Sequence, residues 1–159
     1  MNPFPQEEAE GFFRAIAEKV ASGEVILVAA FDGERVGGTA QLGLDMPPNQ
    51  PHRGDVRKML VHSDARKKGI AGAMLARLEQ EAAARGRTLL VLDTASAEAM
   101  RVYERGGWEQ VGRIPDYALL PDGGFWKRAA PLGFAAFTRQ PDSLSHSDTR
   151  HANWSSPQP

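Results

Sequence analysis

The stretch that decides the fold runs Val56-Arg57-Lys58-Met59-Leu60-Val61-His62-Ser63-Asp64-Ala65-Arg66-Lys67-Lys68-Gly69-Ile70-Ala71. Residues 55–61 (DVRKMLV) read as a buried strand. Residues 62–69 form a polar, basic turn. From Ile70 the chain becomes rich in alanine and leucine, with Met74, Leu75 and Leu78 on one face, which predicts a helix over 70–85 closed by Gly86. A strand therefore passes through a basic, glycine-bearing turn directly into a helix. The first turn of a helix leaves backbone N–H groups without partners, and the helix dipole adds partial positive charge there. A glycine in the turn lets a ligand approach the main chain closely. The product is an anion site suited to a pyrophosphate. Arg66, Lys67 and Lys68 oppose the dipole of the helix they precede, a local conflict that a bound anion resolves. The plainer alternative is a solvated loop. No G-x-x-x-x-G-K-[ST] or G-x-G-x-x-G pattern is present.

Toward the N-terminus, Phe12, Phe13, Ile16, Ala17 and Val20 recur at helical spacing, with Glu18 and Lys19 on the other face. This predicts a helix over 6–22, stopped by Gly23. Residues 25–31 and 36–44 flank the turn at Asp32-Gly33 as an antiparallel hairpin. Residues 45–54 are a loop, because Pro47, Pro48 and Pro51 cannot sit in a ladder. Toward the C-terminus, residues 88–92 (TLLVL) read as a strand covered on both faces. A short helix over 98–105 ends at Gly106-Gly107, and 108–113, 117–120 and 125–129 read as further strands. From about 130 the apolar periodicity stops and Ser, Pro, Asp and His accumulate. The expected domain is therefore 1–129, with 130–159 a disordered tail. Helix, two antiparallel strands, then strand–helix–strand–helix–strand implies a mixed sheet with helices on its faces, α/β or α+β.

The chain of 159 residues suits one domain. A formal net charge of −1 gives no global electrostatic case for nucleic acid or a membrane surface. There is no cysteine, hence no disulfide, thiolate metal site or cysteine nucleophile. No His/Asp/Glu set has metal-ligand spacing. Residues 1–10 are acidic and broken by Pro3 and Pro5, unlike a signal peptide, and no apolar run approaches membrane-spanning length. The cytoplasm is the default expectation.

Arg66-Lys67-Lys68-Gly69-Ile70-Ala71 resembles the R/Q-x-x-G-x-G/A signature of the GNAT superfamily of N-acetyltransferases, in its usual place after a strand of the type Met59-Leu60-Val61-His62. Ala99-Met100-Arg101-Val102-Tyr103-Glu104-Arg105-Gly106-Gly107-Trp108 resembles that family's A-x-x-x-Y-x-x-x-G-[FW] helix and turn. The wording is similar to one subgroup, the tabtoxin-resistance-like acetyltransferases, through Pro48-Asn49-Gln50-Pro51-His52-Arg53, Leu92-Asp93-Thr94 and Ile114-Pro115-Asp116-Tyr117. The likeness covers roughly residues 6–128. Three features depart from it. The chain starts almost at the helix over 6–22, so the family's first strand and helix are absent. Phe125-Trp126-Lys127-Arg128 arrives early, and Ser96 stands where many members carry asparagine.

The resemblance implies a GNAT-like fold with a mostly antiparallel sheet and helices on both faces. It implies acetyl-CoA as acyl donor, no metal, and a primary amine of a small molecule, a toxin or antibiotic, as acceptor. Main-chain N–H groups of Arg66, Lys67, Lys68, Gly69, Ile70 and Ala71 would hold the pyrophosphate. Met59, Leu60 and Val61 would line the pantetheine and acetyl group, with a free N–H near Leu60 polarising the thioester carbonyl. Ser96 falls in the cofactor-binding stretch. Tyr103 would protonate the departing thiolate; the alternative is packing against Trp108. Asp93 and Asp55 are candidate bases, Asp93 alternatively a helix cap and Asp55 a strand-end residue. Asn49, His52 and Asp93 would face the acceptor, although a lone loop histidine is more often simply solvated. With the first strand absent, a sheet edge is open to a second copy, so a homodimer is an expectation. The rival reading is an acyl-CoA-binding or partner-binding module of the same fold without activity.

Overall fold

A computed structural model describes residues 5–114, 117 and 134–141. Helix α1 spans Gln6–Ala21 and is followed by strands β1 (Val25–Asp32), β2 (Arg35–Gly43) and β3 (Arg53–Val61). A 3-10 turn at Ser63–Ala65 leads into α2 (Ile70–Ala84). Then come β4 (Leu89–Thr94), α3 (Ala97–Arg105), β5 (Glu109–Ile114) and β6 (Phe134–Arg139). The strands form one six-stranded sheet in the order β1-β2-β3-β4-β6-β5. Among the described residues only β3 and β4 pair parallel, with Asp55 opposite Val91; the other pairings are antiparallel.

The alternation of the strands decides which face holds the core. Ala30, Ala40, Leu42, Val56, Leu90, Leu92 and Phe137 are buried together with Met74, Leu75, Leu78 and Ala82 of α2 and Met100 and Tyr103 of α3. Their strand positions share one parity through the observed register, so α2 and α3 cover one face. Leu42, Leu78 and Leu90 are wholly enclosed, and each such leucine stabilises the fold by about 2 kcal/mol. Helix α1 lies on the opposite face, where Phe13, Thr39 and Leu60 border one shallow depression.

Two sequence expectations change. Residues 134–141 were expected in a tail, yet β6 fills the gap between β4 and β5, pairing Leu92 with Phe137 and Gln110 with Phe137 from either side. Its Ala135 and Phe137 supply apolar burial, which the polar surroundings of the segment conceal. The strands expected over 117–120 and 125–129 lie outside the described residues except for Tyr117, which is exposed. The strand expected to be buried over 55–61 is buried only in its first half: Leu60 is 57% exposed.

A buried polar cluster ties β6 to the helices. Glu79 of α2 accepts a 2.8 Å hydrogen bond from Trp108 Nε1 and faces Arg139 Nε at 3.6 Å. Arg139 also donates from Nη1 to the Gly107 carbonyl at 2.7 Å. Gly107 has φ 76°, a left-handed turn that favours glycine, and a Cβ there would push aside the end of the Arg139 side chain. Burial raises the pKa of Glu79, opposed by the Trp108 bond and the Arg139 charge.

Candidate active site

The site opens where β3 and β4 part. They are in register only from Arg53, Gly54 and Asp55 against Leu89, Leu90 and Val91. Beyond Asp55 the second half of β3 stays with β2 and leaves the edge of β4. A β-bulge contributes to this. The register against β2 jumps from Gln41–Arg57 to Thr39–Leu60, with Lys58 held at φ 52°. One extra residue re-phases a strand. Val56 faces the core, Arg57 and Lys58 both lie on the α1 side, and Met59 and Val61 return to the core side.

The bulge also fixes which main-chain groups line the opening. The His62 N–H donates to the Gly37 carbonyl at 2.8 Å, while Val61 pairs with Gly38. In an antiparallel ladder alternate residues turn their N–H and C=O groups to opposite sides. The main-chain groups of Val61 therefore face the cleft, where its carbonyl meets Arg66 Nε at 3.4 Å. By the same alternation the N–H of Leu60 faces Thr39. The free N–H expected near Leu60 belongs to Val61, one residue on.

The cleft ends at the N-terminus of α2. Lys67 and Gly69 are both left-handed, with φ 61° and 79°. Gly69 is the N-cap, makes no side-chain cap, and is followed by no acidic residue in the first turn. Among the described residues, no protein group accepts a hydrogen bond from any main-chain N–H from Lys67 through Gly72; the next one along, Ala73, donates to the Gly69 carbonyl. A Cβ at Gly69 or Gly72 would meet nothing within 4 Å, so the space before these groups is open. A row of unpartnered N–H groups at a positive helix end is matched to a pyrophosphate. Arg66, Lys67 and Lys68 are exposed around it, with Lys68 3.5 Å from Asp32. Ile70 and Ala71 are half-buried beneath it.

Tyr103 approaches from the core face. It is 5% exposed, with its ring 5.6 Å from Phe137 and 6.2 Å from Trp108. Among the described residues its hydroxyl has no hydrogen-bond partner. Burial, and then the charge of Asp93, raise its pKa, which keeps the phenol protonated. The packing and the chemical readings of Tyr103 are thus compatible, since the ring is held by aromatics and the hydroxyl is left unengaged.

Asp93 and Asp55 stand on the α1 side, two positions apart in register. Asp55 is gripped at two points by Arg53, with Oδ1 and Oδ2 each 3.2 Å from the guanidinium. Among the described residues Asp93 has no cation within 4.0 Å. Its pKa is raised by burial first and by the Asp55 charge second, and lowered by Lys58. Asp93 does not cap α3: Ser96 does, accepting from the Ala99 N–H at 3.3 Å. The oxygen of Ser96 is engaged in that cap.

Asn49 and His52 are not brought to this cleft. Both are exposed, and the His52 carbonyl accepts from the N–H groups of Thr88 and Leu89, at the starts of β3 and β4. The cleft opens at the other ends of these strands, so His52 lies three residues, about 10 Å, short of Asp55. Lys58 is the residue that sequence reasoning missed. Nothing in V-R-K-M-L-V marks the bulge that turns it toward α1.

Residues 22–110, more than half of the chain, match the family model described as an acetyltransferase (GNAT) domain. The chain belongs to the GNAT acetyltransferase family. Solved structures share its fold. An N-acetyltransferase from Staphylococcus aureus Mu50 is 22% identical with a TM-score of 0.70, covering 88% of this chain and 79% of that one. The yncA protein of Salmonella typhimurium, solved with its cofactor acetyl-CoA, is 18% identical with a TM-score of 0.71, covering 88% and 78%. A spermidine N-acetyltransferase chimera of Vibrio cholerae SpeG and hSSAT is 11% identical with a TM-score of 0.70, covering 89% and 81%.

Proposed function

We propose that this domain transfers an acetyl group from acetyl-CoA to a primary amine of a small molecule. The observation that carries the reading is the parting of β3 from β4, with the Val61 main chain facing the gap and the unpartnered N–H groups of Lys67 through Gly72 at its end. Acetyl-CoA supplies the acetyl group as a thioester. The chain's own residues then act as follows. The N–H groups of the α2 turn hold the pyrophosphate. Val61 and Met59 align the pantetheine arm as if adding a strand beside β3. A main-chain N–H of this segment meets the charge that gathers on the carbonyl oxygen as the amine attacks.

The amine arrives as an ammonium ion at neutral pH. Asp93 takes its proton; a raised pKa brings the carboxylate closer to the strength the task needs. Tyr103, kept protonated by burial, gives its proton to the sulfur as the C–S bond breaks and the C–N bond forms, and the second proton shed by the nitrogen restores the phenol. Holding both reactants side by side supplies much of the acceleration. The likeness to tabtoxin-resistance-like sequences favours a small-molecule acceptor, and a similar fold named for spermidine acetylation supports an amine.

The test is release of CoA from acetyl-CoA in the presence of a panel of primary amines, read with a thiol-reactive chromophore. The chain has no cysteine, so it contributes no background. Amine-dependent release is expected. Tight acetyl-CoA binding with no amine-dependent release across polyamines, amino acids and aminoglycosides would refute the enzymatic reading and leave a binding module.

A further inference from the structure

Three basic side chains of β3 lie on the α1 side of the sheet, and two of them are neutralised. Arg53 is paired with Asp55 at 3.2 Å and Arg57 with Asp45 at 3.7 Å. Among the described residues no carboxylate lies within 4.0 Å of Lys58 Nζ. That ammonium lies over the face of Phe12, 5.8 Å from the ring centroid. Lys58 holds this position from the bulge itself, in a left-handed conformation that a β-strand lysine does not otherwise adopt. Non-glycine residues kept in such a conformation collect at functional sites.

The position has a consequence for the acceptor. The reacting nitrogen has to sit between Asp93 and the main chain after the bulge. By the β3–β4 register Asp93 is level with Arg57, so Lys58, the next residue and on the same α1 side, borders that position. A purely cationic acceptor meets a fixed like charge there, whereas an acceptor with an anionic group beside its amine meets a complement. We infer that Lys58 selects acceptor amines that carry a carboxylate within a few bonds of the reacting nitrogen, binding that carboxylate across the bulge. The inference rests on the acetyltransferase reading above. It separates this chain from relatives of the same fold whose acceptors are polycations.

Matched pairs of amino acid and carboxamide decide it: glycine and glycinamide, β-alanine and β-alaninamide, L-lysine and L-lysinamide, with spermidine as the polycation. A carboxamide's amine is the less basic, so more of it is free at neutral pH, and a preference for the acid runs against intrinsic reactivity. The wild-type chain is expected to favour at least one acid over its amide by tenfold or more in kcat/KM, chiefly through KM. Lys58→Asn keeps a residue that tolerates the left-handed conformation and removes the charge; the ratio should fall to within about twofold. Lys58→Arg should keep most of it. A wild-type chain that acetylates amides or spermidine as well as the acids overturns the inference and leaves the acetyltransferase reading intact. So does an undiminished ratio in Lys58→Asn. Absence of turnover with every amine refutes the acetyltransferase reading, and the inference falls with it.

Discussion

Two substitutions at Gly69, compared with each other, test the anion cradle more sharply than either alone. Gly69 is left-handed with φ 79°, and a Cβ there would meet nothing within 4 Å. Gly69→Ala therefore costs the conformational penalty only, about 1–2 kcal/mol. For a chain of this size that lowers Tm by a few degrees. Gly69→Glu carries the same backbone penalty and adds a carboxylate to the row of free N–H groups. Two like charges about 5 Å apart repel by about 1 kcal/mol in a fully aqueous setting and about 3 kcal/mol at an effective dielectric near 20. Relative to Gly69→Ala, the glutamate should weaken acetyl-CoA binding by roughly 5- to 200-fold, while the unliganded glutamate variant is as stable as the alanine variant or more so by up to about 1 kcal/mol, because its carboxylate complements the helix end. Calorimetric titration gives the affinities. Thermal unfolding gives a second reading, since acetyl-CoA at a hundred times its Kd adds about 2.7 kcal/mol of stability. If the glutamate and alanine variants bind acetyl-CoA equally, the pyrophosphate does not lie at the start of α2 and the reasoning from unpartnered N–H groups is wrong.

Other outcomes follow from the same geometry. Tyr103→Phe should lower kcat by about 10²–10⁴ while acetyl-CoA affinity holds, because the ring packing survives and only the hydroxyl goes; unaltered turnover removes Tyr103 from the chemistry. A base with a raised pKa makes kcat/KM rise with pH as Asp93 loses its proton, so the pH–rate profile of the wild type should show that acid limb. Asp55→Asn removes a like charge and frees Arg53, both of which favour ionised Asp93, so the acid limb should move to lower pH; a shift to higher pH contradicts the pairing described. Trp108→Phe strips buried Glu79 of its 2.8 Å donor and should cost about 1–3 kcal/mol in denaturant unfolding without altering acetyl-CoA affinity.

Much of the site is local in sequence, and that part was legible. The turn at 66–71 and the helix after it announce themselves through composition, because an anion site at a helix N-terminus is made from consecutive residues. Three features were not legible because each depends on residues far apart. The bulge at Lys58 is a mismatch of counts between two strands, visible only once Gln41 faces Arg57 and Thr39 faces Leu60. Glu79 reads as a surface residue in an alanine-rich helix until Trp108, 29 positions on, reaches it. β6 is six residues (FAAFTR) in polar surroundings, and only its neighbours on both sides give it a place. Where Asn49 and His52 lie relative to the cleft likewise depends on strand pairing. Recognising β3 and β4 as a parallel pair puts the open end at their C-termini, and a loop before β3 is then at the wrong end.

The position of β6 also imposes an order of events on the growing chain. β5 emerges from the ribosome before β6, yet among the described residues it joins the sheet by pairing with β6. Until Phe134–Arg139 has been made, Glu109–Ile114 has no edge to join and Tyr103 lacks the Phe137 ring that holds it. The turn proposed to receive acetyl-CoA can form long before that moment; the tyrosine proposed to act beside it waits for Phe134–Arg139 to be made.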